Sequence, residues 1–158
     1  NINGGYSQFN VNTGTIHVWV RPTTTLGTSS RFIFDYAGFY GLAIESSNSS
    51  TLDRVKFYGS TLGNSAQLTT SLSSNVWYMI SYTAALNGTN VGYIDKTATG
   101  TISNGSLDYQ TFAPINVAGE MSNYTLTSHL GPVLFYNRVL SSTEVTQVYN
   151  YFQPTYKP

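Results

Sequence analysis

Apolar and polar residues alternate with a period of two along most of this chain, and clusters of Gly, Asn or Ser break the alternation every 8–15 residues. Successive side chains of a strand point to opposite faces, so this rhythm reads as half-buried strands joined by short turns, the pattern of an antiparallel sandwich or barrel. From Thr15 to Arg21, Ile16, Val18 and Val20 fall on one face and His17, Trp19 and Arg21 on the other. Pro22, which has no N–H to donate, ends that strand. Phe32 to Tyr36 and Tyr40 to Glu45 flank the turn Ala37-Gly38-Phe39, and Arg54 to Tyr58 resumes the alternation after the polar loop Ser46 to Thr51, giving a three-strand meander. Trp77 to Thr83 and Val91 to Asp95 form a hairpin around Asn87-Gly88. Ile115 to Glu120 and Leu130 to Tyr136 are apolar on both faces in their middles, which places them near the centre of a sheet, covered from two sides.

One helix interrupts the strands. Ser141 and Glu144 make a Ser-x-x-Glu capping box, in which each side chain satisfies an otherwise orphaned backbone N–H, and Leu140 and Val145 can form a hydrophobic staple. Val145, Val148, Tyr149 and Phe152 recur at i, i+3, i+4 and i+7, so one stripe packs on the strands, and the helix is expected to end near Phe152, before Pro154.

The 158 residues fit one domain, residues 1–158, with 41% hydrophobic and 15% aromatic residues to build a core. Only 9% are charged, against about 25% in typical soluble domains, so the wet surface is made of Ser, Thr, Asn, Gln and Tyr. Seven basic and seven acidic residues cancel, no Lys/Arg run offers a footprint for phosphates, and nucleic acid is excluded as a partner. The chain has no Cys, which removes thiolate chemistry and cysteine-held metals, and no stretch approaches the ~20 apolar residues of a membrane span. It starts at Asn1 without Met and is expected to be a piece of a longer protein.

Two stretches carry a family resemblance. Trp77-Tyr78-Met79-Ile80-Ser81-Tyr82 leads through an Asn/Gly turn to Gly92-Tyr93-Ile94-Asp95, and Gly131 to Ser141 runs through Asn137-Arg138-Val139-Leu140-Ser141 into the capped helix. Both resemble laminin G-like domains of the concanavalin A-like lectin/glucanase superfamily, and Ile16 to Pro22 is similar to that family's early Trp-containing strand. Lys96 stands where the family usually has Gly, and the customary first strand upstream of Gly4 is short or absent. The resemblance implies an all-β, two-sheet antiparallel jelly-roll sandwich with one short C-terminal helix. Glycan or protein binding is its commonest use, although fold alone does not fix function.

The residues argue against catalysis. Retaining glycosidases need carboxyls about 5 Å apart, and glucanases of this superfamily bracket an Asp with two Glu on one strand. The acidic residues here are Asp35, Glu45, Asp53, Asp95, Asp108, Glu120 and Glu144, and the nearest two are eight positions apart. No Gly-x-Ser-x-Gly elbow occurs. His17 and His129 have no partner at metal-ligand spacing and read as structural. Asp95 with Asn87 and Asn90 has calcium-type oxygens, but turn chemistry is the preferred reading and no metal or other cofactor is assigned. Four Asn-x-Ser/Thr sequons, at Asn48, Asn87, Asn104 and Asn123, are what chance gives in so Asn- and Ser-rich a chain.

The ligand-binding candidates are aromatics beside small polar groups: Asp35 with Tyr36, Phe39, Tyr40 and Tyr58, and Glu120 with Asn123 and Tyr124. Sugar C–H faces stack on such rings while hydroxyls pair with carboxylates and amides; packing in the core is the competing role for each ring. The chain is thus expected to be a non-enzymatic carbohydrate-binding or adhesion module of an extracellular or virion protein. The alternative is a purely structural decoration, fibre or surface-assembly subunit without glycan binding, and a glycoside hydrolase comes third. Its partners would be glycans or other virion or surface proteins, and an oligomer or larger assembly suits either.

Overall fold

The computed structural model describes residues 13–23, 31–36, 40–46, 53–58, 65–85, 88–105, 115–117 and 128–158. Ten strands and one helix follow in chain order: β1 (Thr13–Pro22), β2 (Arg31–Tyr36), β3 (Tyr40–Ser46), β4 (Asp53–Tyr58), β5 (Ser65–Ser71), β6 (Tyr78–Ala85), β7 (Gly88–Ile94), β8 (Thr97–Gly105), β9 (Ile115–Val117), β10 (Ser128–Tyr136) and α1 (Ser142–Tyr156). They form two five-stranded antiparallel sheets, β10-β1-β6-β7-β8 and β5-β4-β3-β2-β9, with β5 and β8 brought beside one another. The all-β jelly-roll expectation holds, including the β2-β3-β4 meander and the β6-β7 hairpin.

The first sheet is covered on both faces, as the amphipathic reading of β1 requires. Val18, Val20, Ile80, Ala84 and Ile94 are buried on one face, and Val55 is buried in the second sheet. On the other face Trp19, Met79 and Tyr93 join Leu140 and Val145 in a buried cluster, against which Val148, Tyr149, Phe152 and Tyr156 of α1 pack. Trp19 stacks on Tyr149 at 5.7 Å and on Tyr156 at 4.9 Å between ring centroids. The stripe foreseen on the helix is therefore the second hydrophobic layer of the domain.

The entry to α1 forms as its sequence dictates. Ser141 Oγ accepts the Glu144 N–H at 3.3 Å, and Glu144 Oε2 accepts the Ser141 N–H at 2.8 Å. Arg138 adds a 2.6 Å ion pair to Glu144. Upstream, the Thr15 hydroxyl donates to the Arg138 carbonyl and accepts the Leu140 N–H, both at 2.9 Å, which fastens the Asn137 to Ser141 turn to β1.

Three expectations change. The helix does not stop before Pro154 but runs through it to Tyr156. A proline removes one backbone hydrogen bond, and here tertiary contacts offset it: Tyr156 packs on Trp19 and Trp77, and Lys157 N–H bonds the Gln153 carbonyl at 2.7 Å. Next, β9 and β10 lie at sheet edges among the described residues, not at centres. Every residue of β10 is half-buried except exposed His129, so its apolar run reflects partial cover, which does not require a hydrogen-bonded neighbour on both sides. Finally, β5 and β8 escaped the alternation argument because Ser65–Ser71 and Thr97–Gly105 are built from Ser, Thr, Gly and Ala with few large apolar residues. They close the far ends of the two sheets.

Candidate functional site

The polar residues inside the first sheet are engaged in holding it together. Asp95 occupies the left-handed region with φ 56° in the β7-β8 turn, a conformation that Asp tolerates better than most residues, whereas Lys96 after it lies outside that region and so needs no Gly there. Its carboxylate accepts the Met79 N–H at 3.0 Å and pairs with Lys157 at 2.6 Å. Asn90 is buried, accepts the Ala85 N–H at 2.8 Å and donates to the Tyr82 hydroxyl at 2.9 Å. Burial pushes that phenol up to about 12, against a smaller opposing effect of the Asn90 bond. The oxygens proposed for turn chemistry thus serve the backbone, and among the described residues no three His, Cys, Asp or Glu side chains gather. Asn87 lies outside the described residues.

His17 is fully buried, shares a 2.6 Å hydrogen bond between Nδ1 and Ser81 Oγ, and meets the Tyr136 ring edge-on at 5.5 Å. Desolvation holds its pKa down at about 4, so the imidazole is neutral near pH 7. This is the structural histidine the sequence suggested. His129 is exposed on β10 and is the direct cross-strand partner of Arg21.

The second sheet sorts the ligand-binding candidates by face. Tyr36 pairs with Tyr40, Phe34 with Leu42, Leu42 with Phe57 and Ile44 with Val55. Direct partners in an antiparallel ladder share a face, so Tyr36 and Tyr40 lie on the face of buried Val55. The opposite face carries Asp35, which pairs with Gly41 and with Asn116, and Tyr58, which pairs with Ser65. Lys56 pairs with Ala43 and Gln67, and Arg54 with Glu45, on that same face. The register therefore separates Asp35 and Tyr58 from Tyr36 and Tyr40, and sets Asn116, Lys56 and Gln67 beside the former pair. Those three were not singled out from sequence, although the alternation of Arg54, Lys56 and Tyr58 against Val55 and Phe57 carries the signal. Glu120, Asn123 and Tyr124 lie outside the described residues, as does Phe39.

An antiparallel two-sheet jelly roll with one sheet closed over by a helix is the architecture of lectin-like domains. The chain belongs to the Concanavalin A-like lectin/glucanases superfamily, whose laminin G-like model it matches over residues 2–146. No curated protein matches it in sequence. Among solved structures it is similar to a heptameric SAP-like pentraxin from Limulus polyphemus, with a TM-score of 0.69 at 14% identity, covering 88% of this chain and 70% of that one. It is similar also to domain 4 of an extracellular GH43 arabinanase from Geobacillus stearothermophilus, solved with arabinotriose, with a TM-score of 0.68 at 12% identity over 87% of this chain and 66% of that one. A third is the binding domain of botulinum neurotoxin DC, solved with rat synaptotagmin II, with a TM-score of 0.67 at 14% identity over 97% of this chain. This chain spans 39% of that binding domain's length.

Proposed function

We propose that this domain is a non-enzymatic carbohydrate-binding or adhesion module of an extracellular or virion structural protein, with its glycan site on the Asp35 and Tyr58 face of the second sheet. One observation carries the reading: the cross-strand register lines Asp35, Asn116, Tyr58, Ser65, Lys56 and Gln67 up on the face opposite Val55. Carboxylate, amide and hydroxyl groups there match sugar hydroxyls, and an aromatic position beside them suits a sugar C–H face. Solved structures of similar fold include an arabinanase domain with arabinotriose and a neurotoxin whose cell entry depends on two ganglioside molecules, which supports a glycan ligand.

The non-enzymatic reading rests on carboxylate spacing. Asp35 lies opposite Gly41, and Glu45, on the same face, is four residues further along β3. That is about 13 Å of strand, beyond the roughly 5–9.5 Å separating the carboxyls of glycosidases. A purely architectural role, as a decoration, fibre or surface-assembly subunit, is the second reading, supported by the low charge and by likeness to a heptameric pentraxin. A glycan array run with native mass measurement on one preparation separates them. A defined sugar bound, and lost in Asp35→Ala and Tyr58→Ala, supports the module; glycan silence in an oligomer supports the subunit. Sugar release from any bound oligosaccharide would sink the non-enzymatic assignment.

A further inference from the structure

At the end of the first sheet, next to the last turn of α1, three side chains form a cross-strand row. His129 on β10 pairs directly with Arg21 on β1, and Trp77 follows the Val20 and Tyr78 pair in register on the β6 side. The Arg21 guanidinium carbon stands 5.6 Å from the centre of the Trp77 ring, and the Tyr156 ring abuts that indole at 4.7 Å and 60°. Arg21 and Trp77 are half-buried and His129 is exposed.

Arg21 gives the row a positive charge, and among the described residues no carboxylate pairs with it. The described ion pairs are Arg138 with Glu144 and Lys157 with Asp95, so neither carboxylate serves Arg21. Arg21 Nε is buried with no hydrogen-bond partner. Set over the indole and paired with no described carboxylate, the Arg21 guanidinium keeps N–H donors that fit a planar carboxylate with two parallel bonds. The imidazole of exposed His129 adds a polar group on one side, and the partly exposed indole supplies apolar surface on the other.

We propose that the His129, Arg21 and Trp77 row is a second, separate binding site that takes the carboxylate of an acidic sugar, with the sugar ring against Trp77. It goes beyond the face of the second sheet and stands on different residues. A neutral sugar would leave the Arg21 charge uncompensated, whereas a planar carboxylate accepts two parallel N–H bonds from the guanidinium.

Calorimetric titration of the full chain with lactose, lactose 3′-sulfate, 3′-sialyllactose and trigalacturonate tests it. At least one carboxylated probe is expected to bind about tenfold more tightly than lactose and its sulfate, with Arg21→Lys, which keeps the charge but loses the fork, weakening it about tenfold. His129→Ala, at an exposed position that leaves packing intact, is expected to weaken it about threefold, and it serves as the readout if the Arg21 variant does not fold. Carboxylated probes that bind no better than lactose, preference for the sulfate, or indifference to both substitutions would overturn the site. Binding that vanishes in Asp35→Ala but survives Arg21→Lys sinks this inference and keeps the second-sheet reading. The reverse result keeps this site and removes the other.

Discussion

The two sheets use one architecture to opposite ends. In the first, α1 lies over the outer face, and the described polar groups beneath it work for the fold: His17 bonds Ser81, and Thr15 ties down the turn before the helix. In the second, one face lies with buried Val55 and the other carries Asp35, Lys56, Tyr58 and Arg54 at successive register positions. A helix over a sheet turns potential binding positions into a second core. The further site proposed above centres on Arg21, which is half-buried beside the last turn of that helix.

The contrast predicts where substitutions hurt most. Trp19 is nearly inaccessible and stacks on two helix tyrosines, so Trp19→Ala is expected to cost about 3–5 kcal/mol in urea unfolding. A cost under about 1 kcal/mol would mean that the helix layer contributes little.

Acid should attack the same layer. Above pH 6.5 His17 is neutral in both folded and unfolded chains, and its contribution sits at its plateau. As pH falls from 6.5 to 4 the unfolded chain takes up a proton that the buried imidazole refuses, so stability drops. Below 4 both states are protonated and that slope ends. The full drop is on the order of 3 kcal/mol, and His17→Gln should remove it from a series of melts between pH 7 and 4. Glu144 titrates in a separate window. Hydrogen bonds from Arg138 and Ser141 hold it at about 2, so its contribution is present above 4.5 and is lost as pH falls towards 2.

A smaller effect tests how closely the helix end is seated. A Cβ on Gly131 would stand 2.8 Å from the Trp19 Cβ and 3.0 Å from the Tyr156 ring. Gly131→Ala is therefore expected to cost about 1–3 kcal/mol by crowding. Thermal stability that barely changes would mean that β1 and β10 ease apart at Trp19 as well as that Tyr156 swings away.

How much of this was legible in the sequence depends on which force set each feature. β1, the β2-β3-β4 meander and the β6-β7 hairpin were readable because burial of large residues imposes a period of two. The cap of α1 was readable because its chemistry lies within four residues, from Ser141 to Glu144. The far end of the helix was not, because Tyr156 is held by Trp19 and Trp77, far away in sequence. β5 and β8 were missed because polar strands that close a sheet's end carry no hydrophobic rhythm. Of the candidate site, the residue types were visible but their partition between faces was not. That partition follows from which residue of β3 stands opposite Val55, a matter of register.

The register gives the last and smallest effect. Asp35→Ala and Tyr58→Ala, on the face opposite Val55, are expected to change stability by about 0.5 kcal/mol or less, the usual size for surface positions, while reducing glycan-array signal. Tyr36→Ala, at a register position on the Val55 face, is expected to cost more, about 1–3 kcal/mol. Measuring melts and array signal on all three variants makes the two faces separable. A Tyr58→Ala protein that unfolds like the Trp19 variant, with Tyr36→Ala neutral in stability and silent on the array, would exchange the faces and move the glycan site to Tyr36 and Tyr40.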